Sequence, residues 1–94
     1  MANDLRDHPH MRQLRESAAA YRAGLQKIDT LQACIEAIEM ALEGDVPKDI
    51  HRAVRWAGAE LEYIRFAVAE ACERDEVERV LQELEAVLAS RAAI

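Results

Sequence analysis

Seven apolar residues, Ile50, Val54, Ala57, Leu61, Ile64, Val68 and Ala71, follow one another at steps of 4, 3, 4, 3, 4 and 3. Strict alternation of threes and fours places them along one face of a helix and leaves no room for a strand, whose faces alternate every two residues. A second apolar series occupies the stretch before it. Leu14, Ala18, Tyr21, Leu25, Ile28, Leu31, Ile35, Ile38 and Leu42 follow at steps of 4, 3, 4, 3, 3, 4, 3 and 4, with no proline from Met11 to Glu43 and Gly24 as the only glycine. That mean period of about 3.5 is the seam spacing of packed helices. It predicts one long helix over 11–43.

Glu43-Gly44-Asp45-Val46-Pro47 punctuates the chain. Glycine suits the left-handed position after a helix end, and proline the first turn of the next helix. So short a connection makes the flanking helices antiparallel. The second helix is expected over 47–73. Its stripe then fails and resumes at Val77, Leu81, Leu84 and Leu88, with Val80 and Val87 alongside. On a continuous helix Val77 would lie about 180° from Val68. The expectation is an all-α fold, an antiparallel long-helix hairpin closing into a three-helix bundle over 11–43, 47–73 and 75–92. Asp75 with Glu78 would cap the last helix. Helices 2 and 3 as one continuous kinked helix is the alternative, because no glycine or proline lies at 73–76. Residues 1–10 are expected to form a flexible lead to a single helical domain over 11–94.

Composition narrows the function more than it identifies it. The chain has 94 residues and a net charge of −6, which argues against a generic nucleic-acid binder. Aromatic residues are 4% of it, too few for a base-stacking platform. The start of the chain shows no signal-peptide pattern, and no apolar run approaches the ~20 residues of a membrane span. A cytoplasmic protein without a membrane partner is therefore expected. Cys34 and Cys72 stand alone, without a CxxC spacing. Facing residues across the expected hairpin, about 91 − i for residue i, would hold them ~22 Å apart, beyond the reach of a disulfide.

No constellation for catalysis emerges. His8, His10 and His51 lack HExxH or Glu-x-x-His spacing, so no metal or other cofactor is expected. Ser17 and Ser90 sit in no nucleophile elbow, and the glycines stand apart at 24, 44 and 58. The acidic series Glu36/Glu39/Glu43 and Glu70/Glu73/Glu76 read as solvated faces. The chain is read as a non-enzyme.

Two surfaces could bind. Trp56, Ala59, Tyr63 and Phe66 lie opposite the first stripe of the second helix. With Leu81, Leu84 and Leu88 they form the candidate interface for a protein partner or a second copy, since Trp and Tyr are enriched at binding hot spots. Arg12, Arg15 and Arg22, with Tyr21, form a candidate anion-binding stripe for a ligand such as a nucleotide. The plainer account pairs these arginines with carboxylates across the hairpin, Arg15 with Glu76 and Arg22 near Glu70. The expected activity is self-association and binding, in the manner of a regulator, chaperone or inhibitor that sequesters a protein partner. An oligomeric binder of a small anion is the alternative.

Overall fold

A computed structural model describes residues 8–42, 44 and 46–92. The chain is all-α, with four helices among the described residues: α1 (Pro9–Arg22), α2 (Ile28–Ala41), α3 (Lys48–Ala67) and α4 (Glu70–Ala92). Each helix packs chiefly on the one before it: α2 on α1, α3 on α2 and α4 on α3. Their stripes meet in one core of Met11, Leu14, Ala18 and Tyr21 from α1, Ile28, Leu31, Ile35 and Ile38 from α2 with Leu42 just beyond it, Ile50, Val54, Ala57, Leu61 and Ile64 from α3, and Val77, Val80, Leu81, Leu84 and Leu88 from α4.

The helix expected over 11–43 is two helices. Gly24 adopts φ +77°, a left-handed conformation that a side chain disfavours. The Leu25 amide donates to the Ala20 carbonyl at 2.8 Å and the Gly24 amide to the Tyr21 carbonyl at 3.0 Å. This pair of reversed bonds is a Schellman ending, and it satisfies carbonyls that the helix would otherwise orphan. The Gln26 amide then reaches back to the Ser17 carbonyl at 2.8 Å and its hydroxyl at 2.6 Å, pinning the turn to α1. Leu25, expected in the seam, is 80% exposed.

The first helix also begins earlier than the expected flexible lead allows. Pro9 supplies a preset φ at the first helical position, and the His8 ring nitrogen accepts from the His10 amide at 3.2 Å. The lead over 1–7 lies outside the described residues, as do Glu43 and Asp45 of the punctuating segment. Within that segment Gly44 is left-handed, with φ +84°.

The phase flip after α3 does mark a chain reversal, but not at 73–76. Neither a helix over 47–73 nor one beginning at 75 is present, and the continuous kinked helix is excluded. Val68 is extended at φ −101° and ψ 137°, so α3 ends at Ala67. Glu70 and Glu73 then occupy the first turn of α4, where carboxylates favour the positive end of the helix dipole. Across the α2–α3 pair, Gly58 lies against Ile35 and Glu36, and the His51 ring is 3.1 Å from the Glu39 carbonyl oxygen. Gly58 therefore packs inside the chain, about two to three residues from the register expected for a turn at 45–46. Cys34 and Cys72 are both free thiols.

Candidate functional site

Of the candidate interface residues, Leu81 and Leu84 are completely buried and Leu88 nearly so, all in the core of this chain. They hold α4 in place from within the core. Trp56 is half-buried and packs against that core. It lines an apolar groove of about 730 Å³ between α3 and α4, with Arg52, Ala53, Leu84 and Val87. Tyr63 and Phe66, about two and three turns further along α3, are 62% and 73% exposed. The fold separates them from Trp56 because α4 lies on only one flank of α3. Its Arg79 reaches Glu60 of α3 at 3.4 Å and is held in its charged form by Glu60 and by Glu76 on its own helix.

The candidate anion stripe is differently disposed. Arg22 forks between two carboxylates of α4. Its Nε and Nη2 donate to Glu78 at 2.9 and 2.8 Å, and Nη1 and Nη2 donate to Glu85, each at 2.8 Å. Fork geometry with both carboxylates makes these the strongest polar contacts between α1 and α4. The bonds from Glu85 and Glu78 raise the guanidinium pKa. The same contact holds the Glu78 carboxyl below the usual carboxylate range. Tyr21 is buried and donates its hydroxyl to Glu73 at 2.9 Å. Burial first, and the neighbouring Glu73 second, push its phenol up to about 12. Arg74 stacks on the Tyr21 ring and bonds the Arg22 carbonyl, closing the same corner.

Arg22 does pair with carboxylates of the facing helix, as the plainer account held. The partners are Glu78 and Glu85, rather than the neighbourhood of Glu70. The expected register assumed one unbroken first helix, and the turn at Gly24 resets it. Arg12 and Arg15 are exposed on α1. The stripe thus has its two most enclosed members, Arg22 and Tyr21, already engaged by the chain's own carboxylates.

A polar cleft of about 490 Å³ opens beside this corner, where the α1–α2 turn meets the start of α4. Lys27, Arg65 and Arg74 line it together with Asp29, Glu70 and Glu73. Charges of both signs alternate around it, which suits internal neutralisation better than capture of an anion. Arg65 donates to Gln32 at 3.1 Å and lies 4.9 Å from the centre of the Phe66 ring.

Among the described residues, no three His, Cys, Asp or Glu side chains gather as a metal site, and no helix is long and apolar enough to cross a membrane. Sequence reasoning missed two groups in this region. It did not single out Glu78 and Glu85 as partners of Arg22, although their i, i+7 spacing places both on the α4 face turned to α1. It also passed over the basic side chains Arg52 and Arg55 on the aromatic face of α3. No family model, curated protein or solved structure matches the chain.

Proposed function

We propose that this chain is a non-enzymatic binding protein that self-associates and sequesters or inhibits a protein partner. One observation carries the reading. After all four helices have packed, Tyr63 and Phe66 remain largely exposed on the outer face of α3, about two to three turns along the helix from the apolar groove at Trp56. Aromatic surface left in water is unfavourable by about 25 cal/mol per Å², and contiguous patches of it mark interaction sites. A charged rim of Arg52, Arg55 and Glu62 around such a patch is the usual composition of a docking surface.

The alternative, capture of a small anion on α1, is the weaker reading. A ligand at Arg22 would have to displace both Glu78 and Glu85, and each is held by two hydrogen bonds.

The test uses the intact chain and the exposed pair. Phe66→Ser with Tyr63→Ser should leave the helical circular dichroism unchanged and abolish both self-association and retention of the partner from the source cell. A 10.6 kDa monomer across the accessible concentration range, with partner retention identical in the two forms, would refute the proposal.

A further inference from the structure

We propose that the partner of the α3 outer face is α3 of a second copy, running antiparallel, with the two-fold axis at Ala59. The inference rests on the self-association reading and gives it a geometry.

Arg52, Trp56, Ala59, Tyr63 and Phe66 follow at steps of 4, 3, 4 and 3, a second seam on the helix whose first seam is buried against α2. All but Trp56 are exposed. A helix with two seams at this spacing can pack on two neighbours along its length. α4 takes only the flank at Trp56.

The seam has a direction. Its N-terminal half carries the cations Arg52 and Arg55, which make no ion pair with any described residue. Its C-terminal half carries the exposed aromatic rings, and Glu62, the one exposed carboxylate of α3 among the described residues. Two parallel copies would set Arg52 against Arg52 and Arg55 against Arg55. Two antiparallel copies about Ala59 set Arg52 against the partner's Phe66, and Arg55 against the partner's Tyr63 and Glu62. Every unpaired cation then meets a ring face or a carboxylate. Phe66 already has one guanidinium, that of Arg65, 4.9 Å from its ring centre.

Ala59 lies midway between Arg52 and Phe66 and is exposed. Two methyl groups at the axis let the helices approach to about 8 Å. The arrangement is isologous, so it closes at two copies and builds no fibre. Charge complementarity within the seam offsets the repulsion between two copies. The chain as a whole is acidic, with net charge −6, so two copies repel except where basic surface is opposed by its complement. One helix pair is smaller than a standard interface, so the dimer dissociates in the micromolar range, on the order of 1–100 µM.

Cysteine placement tests the axis. In a Cys34→Ser, Cys72→Ser background, Ala59→Cys should form an intermolecular disulfide rapidly under mild oxidation. Ala37→Cys, exposed on α2, serves as the control and should not. Arg52→Glu should weaken the dimer at least tenfold in sedimentation equilibrium. Rapid cross-linking at Ala59→Cys alone, lost when Phe66→Ser is added, supports the proposal. A dimer whose Ala59→Cys form cross-links no faster than the Ala37→Cys control overturns this interface and leaves self-association standing. A monomer at every concentration overturns both.

Discussion

The same substitution, glycine to alanine, should have opposite signs at two positions. Gly58 lies inside α3, where a built Cβ would come 3.5 Å from Glu36 Cγ and 3.6 Å from Ile35 Cγ2, ordinary van der Waals distances. Alanine there removes the backbone entropy penalty of a helical glycine, about 1 kcal/mol, and adds a packed methyl without strain. Gly24 has nothing within 4 Å of its would-be Cβ, so space is no obstacle. Its φ of +77° is the obstacle, and a left-handed alanine is disfavoured by about 1–2 kcal/mol. Gly58→Ala should therefore stabilise by about 1 kcal/mol and Gly24→Ala destabilise by about 1–2 kcal/mol. For a domain of this size each kcal/mol moves the melting temperature by about 4–8 °C. Urea denaturation followed by circular dichroism at one protein concentration gives both values, the shared concentration keeping any contribution from association equal in the forms compared. The reasoning fails if Gly24→Ala stabilises. In a continuous helix over 11–43, position 24 would be an ordinary helix interior and alanine would gain there just as it does at 58.

Four further outcomes follow from the core, the α1–α4 corner and the two thiols. Arg22→Ala should destabilise by about 1–2 kcal/mol in urea denaturation, and added salt should shrink the difference between the two forms. Because Glu78 titrates below its unfolded value, its contribution is complete above the ordinary carboxylate range near pH 4.3 and is lost as pH falls through its lowered value. The urea midpoint should thus drop between neutral pH and pH 3, and drop less in Arg22→Ala; equal drops would disprove the link. Leu61→Ala, at a fully buried core position of α3, should cost about 2–5 kcal/mol, and a loss under 1 kcal/mol would mean the core is not packed as described. Cys72 is exposed and Cys34 half-buried, so Cys72 should react with a thiol reagent first, with one equivalent titrating fast and the second slowly.

The helical class and most of the core were legible because they depend only on spacing. Ile50 through Ile64 and Ile28 through Leu42 are buried where the stripes put them. Two of the interhelical turns were harder, for different reasons. Just after Gly24 the clue was present, two successive steps of three from Leu25 through Ile28 to Leu31. A lone glycine among helix formers reads as a tolerated residue, however, and its left-handed φ becomes visible only with the hydrogen bonds that close the turn. At Val68–Ala69 there was no residue to read. A valine in extended conformation ends α3, while Val68 and Ala71 happen to extend the 4-3 stripe beyond the helix that it belongs to. The change of phase announced the reversal, and its location stayed about five residues out. The exposed aromatic pair was legible from its face, but its separation from Leu81, Leu84 and Leu88 was not. Which flank of α3 the last helix covers depends on a turn that sequence spacing placed too late.

Because each helix leans chiefly on its predecessor in the chain, most contacts join residues close in sequence. Such topologies pay little loop-closure entropy before burial rewards them, and they fold in microseconds to milliseconds. One set of contacts breaks the pattern. The fork of Arg22 and the hydroxyl of Tyr21 reach across 52 to 63 positions to α4. They close what is otherwise an open string of hairpins, so they form last and contribute little to the folding transition state. Weakening them should leave the folding rate nearly unchanged and accelerate unfolding. Native-state hydrogen exchange should find α1 to be the first segment to open, releasing as a unit while α2, α3 and α4 stay protected.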